Sequence, residues 1–217
     1  MASGTRRDER ARGTREALLA AAERLFAEHG VYAVGNRLIS AAAGQGNNTA
    51  VSYHFGTKVD LVRALVRRHA EPIETIRVRM LDAIGDSAEL RDWVDCSVRP
   101  VTQHLEDLGC PSWYARFIAQ VTADPALYVI AEEEFYGASP TLVQLEEGLN
   151  RCVPHLPDKV RAERADMTRH LIVQMSVERE RALADDTRAV CPTWQDTASG
   201  LVDAIVAMWR APVTHEP

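Results

Sequence analysis

Nowhere in its 217 residues does the chain hold eighteen consecutive apolar residues, so no segment reads as a bilayer-spanning helix. The opening residues, MASGTRRDERARG, lack the apolar core of a secretory leader. The expectation is a soluble cytoplasmic protein with no membrane partner. Cysteine is sparse and scattered: Cys96, Cys110, Cys152 and Cys191 form no CxxC pair, so they carry no zinc-ribbon or dithiol signature. Buried, reduced thiols are the expected state, with a thiol redox sensor as the alternative. His104, Cys110, His155 and His170, with the acidic run Glu132–Glu134, supply residue types used in nucleophilic or metal chemistry. Their spacing follows no ligand pattern such as HExxH, and the acidic run reads as a solvated helix face. We therefore expect no catalytic site, no metal and no cofactor; a helical enzyme is the rival reading.

Strand signal is equally scarce. Ile73, Ile76, Met80 and Ile84 repeat at helical steps, as do Leu90, Val94, Val98, Val101, Leu105 and Leu108. Pro72 and Pro100 are expected to kink or restart their helices, since proline has no amide hydrogen and collides with the preceding turn. Further helices are expected over PSWYARFIAQVTADP, closed at Asp124-Pro125, over ALYVIAEEEFYG, and over 140–152, 157–183 and 193–210. The fold class is all-α, with nine to ten helices and no sheet.

What is present is a substantial apolar fraction, 46%, enough for a sizeable core, and a formal charge of −6 that is unevenly spread. Residues 1–58 carry eight Arg or Lys against five acids, a net +3, which leaves −9 for the remainder. A mildly basic head on an acidic body turns the head toward phosphates. Residues 1–13 show no apolar periodicity and are expected to be a flexible arm. Its Arg6, Arg7, Arg10 and Arg12 suit a minor groove or phosphates, or serve only as a solvated tail.

The stretch NRLISAAAGQGNNTAVSYHFGTK, 36–58, reads as two short helices hinged at a glycine. Leu38, Ile39 and Ala42 give the first an apolar side, and Gly44 can take the left-handed conformation that ends it. Asn47 or Asn48 can cap a second helix running from about Thr49 to Phe55. In that helix Val51 and Phe55 face inward, while Thr49, Ser52 and Tyr53 share the opposite face, which carries hydroxyls and a ring but no carboxylate. Such a rod suits a DNA major groove; an ordinary helical hairpin is the alternative. Thr14 is the expected cap of the helix before it, whose stripe Leu18, Ala21, Ala22, Leu25 and Phe26 packs on Leu38, Ile39, Val51 and Phe55. Thr57 and Asp60 form a near capping box for the helix after it, with Leu61, Val62, Leu65 and Val66 inward.

These features in this order, LFAEHG, Ala43-Gly44, HFGTK and the Leu61 to Leu65 repeat, resemble the DNA-binding domain of the TetR family of bacterial transcriptional regulators. The resemblance covers about a quarter of the chain. It departs from the family's usual pattern at Val34, where a threonine is common, at Ser52, where a tyrosine is common, and in a turn one residue longer at Gln45–Asn48. What it implies is a helix-turn-helix head over 14–58 and a helical body over 59–217 for effector binding and dimerisation. It also implies that Lys58, Tyr53 and His54 touch DNA phosphates. Arg37, Gln45, Asn47, Asn48, Thr49 and Ser52 are the further candidates for contact with bases or phosphates, amide side chains being able to bond adenine bidentately.

By the same resemblance the last two long helices form a homodimer interface, with Met167, Leu171, Ile172, Met175, Leu201, Val202, Ile205, Met208 and Trp209 as candidates. The implied effector site draws on the aromatics gathered mid-chain, Trp93, Trp113, Tyr114, Phe117, Tyr128, Phe135 and Tyr136, with His104, Gln120 and His170 as polar anchors. For each of these residues, ordinary core packing is the alternative. The function expected is a repressor that binds a palindromic double-stranded DNA operator as a homodimer and is released by a small-molecule effector. A DNA-binding dimer without an effector is the other reading that keeps the same head.

Overall fold

The structure, a computed structural model, describes residues 2–47, 49–185 and 193–214. Among these residues every regular element is helical: α1 Ala2–His29, α2 Asn36–Ala42, α3 Ala50–Phe55, α4 Lys58–Ile84, α5 Leu90–Leu108, α6 Tyr114–Ala123, α7 Pro125–Ala138, α8 Thr141–Cys152, α9 Asp158–Ala184 and α10 Trp194–Arg210. The all-α expectation holds. Among the described residues no helix is long and apolar enough to cross a membrane.

One local expectation is corrected, and the restart considered at Pro72 does not occur. The first helix starts at Ala2, well before Thr14, so 2–13 is helix and not a flexible arm. Its Ala, Arg and Glu residues are good helix formers, and extending an existing helix needs no new nucleus and no apolar face. Pro72 and Pro100 lie inside α4 and α5, and neither ends its helix. Each removes one backbone hydrogen bond, a loss the long helices on either side absorb.

The chain divides into two compact units, Met1–Arg68 with Arg116–Phe135, and His69–Ala115 with Tyr136–Pro217. The interior of the first unit holds Leu18, Ala22, Leu25 and Phe26 of α1, Val34, Ile39 of α2, Val51 and Phe55 of α3, and Leu61, Val62, Leu65 and Val66 of α4, all buried. Residues 116–135 complete it. Phe117 lies ring to ring with Phe26, centroids 6.3 Å apart, and Arg67 holds Glu134 through Nη2 at 2.7 Å. Asp124 accepts from the amides of Ala126 and Leu127, both at 3.0 Å, so it caps α7 one residue before Pro125, which needs no amide partner.

The second unit is built around Trp93, which is wholly enclosed among Leu145, Leu149 and other apolar side chains of α5, α8, α9 and α10. A Cβ on Gly148 would fall 2.2 Å from the Trp93 ring, so only glycine lets α8 come this close to α5. Arg164 of α9 donates to the carbonyls of Trp209 and Ala211, each at 2.6 Å, and so answers the negative end of α10 from within. Trp209 in turn donates its indole hydrogen to Thr168 Oγ1 at 2.9 Å. At the other end of α10, Thr193 and Asp196 form a reciprocal capping box.

Candidate nucleic-acid interface

The geometry of the head follows from its turn chemistry. Gly44 has φ 67, the left-handed region, and the Gln45 amide donates back to Ser40 O at 2.9 Å, closing α2. Gln45 folds its own side-chain amide onto Ala43 O at 3.2 Å and is half-buried. Asn47 then opens α3: its Oδ1 accepts from the Thr49 amide at 2.9 Å and from the Thr49 hydroxyl at 2.7 Å. Its amide NH2 takes no part in that cap. Asn48 lies outside the described residues.

Inside the helix, Val51 and Phe55 are buried while Thr49, Ser52 and Tyr53 are exposed, Tyr53 to 82%. A tyrosine ring standing so far out contributes little to the fold. Ser52 is braced by Asn36, whose Nδ2 donates to its Oγ at 3.2 Å and ties the start of α2 to α3. His54 is half-buried and meets Tyr53 edge to face at 5.1 Å. Arg37 is exposed on α2. The inner surface of α3 is fixed by Arg15, whose guanidinium sits 5.0 Å from the centre of the Phe55 ring.

Lys58 differs from its expected place wholly outside the core. Its Nζ donates to Val31 O at 3.1 Å and Val34 O at 2.7 Å, clamping the loop after α1. An ammonium has three hydrogens, so one remains for a phosphate oxygen. Thr57 and Asp60 make the expected box: Asp60 Oδ2 accepts from the Thr57 amide at 3.1 Å and hydroxyl at 2.6 Å, and Thr57 Oγ1 accepts from the Asp60 amide at 3.1 Å. The Thr57 hydroxyl and amide hold the Asp60 carboxyl below its usual pKa. The nearest acid to α3 in the sequence is therefore already engaged. Leu38 is corrected: it is 48% exposed, and Ile39 alone with Val34 fills the position assigned to that stripe.

Residues 18–65 match the family described as bacterial regulatory proteins, tetR family. The chain carries a TetR-family head. The HTH-type transcriptional repressor LfrR of Mycolicibacterium smegmatis is 32% identical over 114 residues, 52% of this chain and 55% of LfrR, so the match spans about half the length of that relative. Two crystal structures share the fold at TM-score 0.51: the TetR family regulator PfmR from Thermus thermophilus, 13% identical over 91% of this chain and 96% of that one, and a TetR-family regulator from Rhodococcus sp., 16% identical over 91% and 98%. The shared fold thus covers 91% of the chain, and the family match itself lies in the head, at residues 18–65.

The other expected sites disperse. Phe117 is core in the first unit, against Phe26, and Gln120 is an exposed residue of that same unit. Trp93 is apolar core, with its indole hydrogen on Ser87 O at 2.9 Å, and Trp113 is half-buried. His170 is exposed, with Nδ1 2.7 Å from the Asp166 carbonyl. Of the proposed effector residues His104 and Tyr114 come together: both are buried, their rings 5.5 Å apart, and both meet His69. Leu201, Ile205 and Trp209 are enclosed in their own chain's core and present nothing to a partner, because Arg164 and Thr168 lock that end of α10 onto α9. Met167 and Met175 are exposed at 51% and 45%, with Leu171 half-buried between them and Met208 half-buried on α10. Cys96 is buried, its thiol pushed up to about 11 by burial, whereas Cys110 is exposed and Cys152 half-buried; Cys191 lies outside the described residues. Among the described residues no group of three or more His, Cys, Asp and Glu could hold a metal.

The sequence reading missed Asn36, and it missed a polar group in the second unit: His69, Glu74, Arg77 and Thr141. A signal existed for the latter. His69, Ile73 and Arg77 step by four along α4, so two of the residues sharing a face with buried isoleucine are themselves polar.

Proposed function

We propose that the protein is a transcriptional repressor that binds a two-fold DNA site as a homodimer and leaves it when a small molecule binds the second unit. The observation that carries this reading is the outer face of α3: Thr49, Ser52 and an almost fully exposed Tyr53, without a carboxylate, on a helix held by Val51 and Phe55. An α-helix of that kind fits a major groove, and Arg37, Asn47 and Lys58 flank it with donors for phosphates. Asn48 keeps its place among the candidates from the sequence alone.

One short helix reads only a few base pairs, so a pair of heads on half-sites about one helical turn apart is the economical arrangement. Met167, Leu171 and Met175 step by four along α9 and form an apolar stripe left open to solvent, which suits the mating surface of a second copy. The effector acts by population shift, favouring a conformer whose heads no longer match successive grooves. A chain of this function works in the cytoplasm and needs neither cofactor nor catalysis.

The test is selection of fragments from the source genome with the purified protein, followed by thermal-shift screening for compounds that release the bound fragment. Enrichment of an inverted-repeat sequence near a promoter is the expected result. Equal recovery of all fragments at physiological salt would rule out a sequence-reading repressor.

A further inference from the structure

The second unit keeps a line of polar side chains inside an otherwise apolar interior. His69, Ile73, Glu74 and Arg77 occupy one side of α4, and all four are buried. Arg77 Nη1 donates to Glu74 Oε2 at 2.9 Å. Thr141 completes the carboxylate, its amide donating to Oε1 at 3.1 Å and its hydroxyl to Oε2 at 2.7 Å. Glu74 is therefore fully supplied with donors. Arg77 is supplied only in part: its Nε is enclosed and meets no acceptor among the described residues.

The surroundings of that nitrogen are specific. Tyr114 and Cys96 lie near Arg77, and burial holds the guanidinium below its usual pKa, opposed by Glu74. Tyr114 stacks on His69 with centroids 4.0 Å apart and rings inclined by 16°, and His69 Nδ1 lies 2.8 Å from His104 Nε2. Enclosing a charged donor without an acceptor is unfavourable, and an oxygen brought in by a ligand would remove that cost. Arg164, also buried, is occupied by the Trp209 and Ala211 carbonyls. Arg179 on α9 also has enclosed nitrogens without partners among the described residues, but it lies away from the cluster around Glu74 in sequence, near residues 186–192, which lie outside the described residues.

We infer that Arg77 anchors the carboxylate of an acidic small-molecule effector, whose apolar part packs beside Tyr114 and His69. The inference rests on the effector reading given above and adds the chemistry of the ligand. Glu74 already balances the guanidinium's charge, so what Arg77 offers a ligand is the single open Nε edge, enough for one carboxylate oxygen; a dianion such as a phosphate monoester would need a second cation. A cationic ligand would meet a donor where it needs an acceptor.

The test uses the full-length protein with benzoate and octanoate, compared with the neutral benzamide and octanamide. Both acids should raise the melting temperature in a saturable way and release the selected DNA fragment, and the amides should do neither. Arg77→Met should raise the half-saturating acid concentration at least tenfold. Arg77→Lys keeps a cation beside Glu74 but has no Nε–H, and it should show the same loss. If both variants unfold, the wild-type protein answers instead: saturating benzoate must move the resonance of a buried arginine Nε–H, and an unchanged spectrum overturns the assignment. Amides that act as strongly as the acids, or variants that respond like wild type, also overturn it. Neutral or cationic compounds releasing DNA where acids do not would sink the acid assignment and leave the effector reading standing. Acids that bind through Arg77 without releasing DNA would do the reverse.

Discussion

The first unit puts its distinctive polar side chains outside, and the second puts them inside. On α3 the hydroxyls of Thr49 and Ser52 and the ring of Tyr53 face solvent, backed by a purely apolar Val51 and Phe55. In the second unit His69, Glu74, Arg77, His104, Arg164 and Glu180 are all buried. The two placements have different physical consequences. An exposed polar face costs nothing to hold and can be changed with little effect on stability, so its residue types are set by what it touches. Buried charges call for partners: Arg164 is answered by two carbonyls, Glu74 by Thr141 and Arg77, Glu180 by the Ser112 hydroxyl at 2.9 Å and the Ala115 amide at 3.1 Å. The enclosed Nε of Arg77 stands out against that background.

The contrast can be broken by mutation, and the largest effect belongs to the interior. Trp93→Ala should cost about 4 kcal/mol in denaturant unfolding, by lost transfer energy and the cavity left behind. Gly148→Ala attacks the same packing from the other side, with a Cβ driven into the Trp93 ring, and should cost about 2 kcal/mol. In both variants the fraction that remains folded should bind DNA as wild type does; a change in sequence preference would mean that the two regions are not separable in this way.

Lys58 belongs to both categories, since it is clamped on Val31 and Val34 yet has a hydrogen to spare. Lys58→Ala should lose about 2 kcal/mol of stability. It should also flatten the dependence of log affinity on log salt by about one unit. A stability loss with an unchanged salt slope would make it a purely structural residue. Thr49→Val should alter stability by less than about 0.5 kcal/mol while shifting preference between operator variants by about 1 kcal/mol, measured by competition binding.

The smallest effect is a pH dependence. The Asp60 carboxyl is held below its usual pKa by Thr57, so its stabilising contribution is present above the unfolded-state pKa, near 4, and is lost as pH falls through the folded value. The melting-temperature difference between wild type and Thr57→Ala should therefore be constant from neutral pH down to about 5 and shrink below 4. A difference that grows on acidification would contradict the hydrogen-bond account.

The head was legible because its signals are local. Gly44 at a helix end, the Asn47 cap and the Thr57–Asp60 box each depend on residues within a few positions, and spacing alone put Val51 and Phe55 opposite Tyr53. The body was legible in its helices but not in its pairings. Phe117 lies far from Phe26 in sequence, and nothing local says that α6 will finish the core of the first unit. The mid-chain aromatics do not all gather in one place for the same reason: Trp93 and Phe117 carry similar hydrophobic signals but fold into different units. Leu38 failed differently. On a seven-residue helix one turn can be buried while its neighbour is open, and three apolar residues at suitable spacing do not say which.

The central claim is that Thr49, Ser52 and Tyr53 read DNA from a helix held mainly by the buried Val51 and Phe55. Fluorescence anisotropy on the selected fragment, comparing wild type with the triple variant Thr49→Ala, Ser52→Ala and Tyr53→Ala over a series of salt concentrations, tests it most directly. The account predicts a preference over random DNA reduced by about a hundredfold or more, on the scale of lost base contacts, with a melting temperature close to that of wild type. A triple variant that keeps the wild-type preference, or one that loses it only because it has unfolded, would contradict the account.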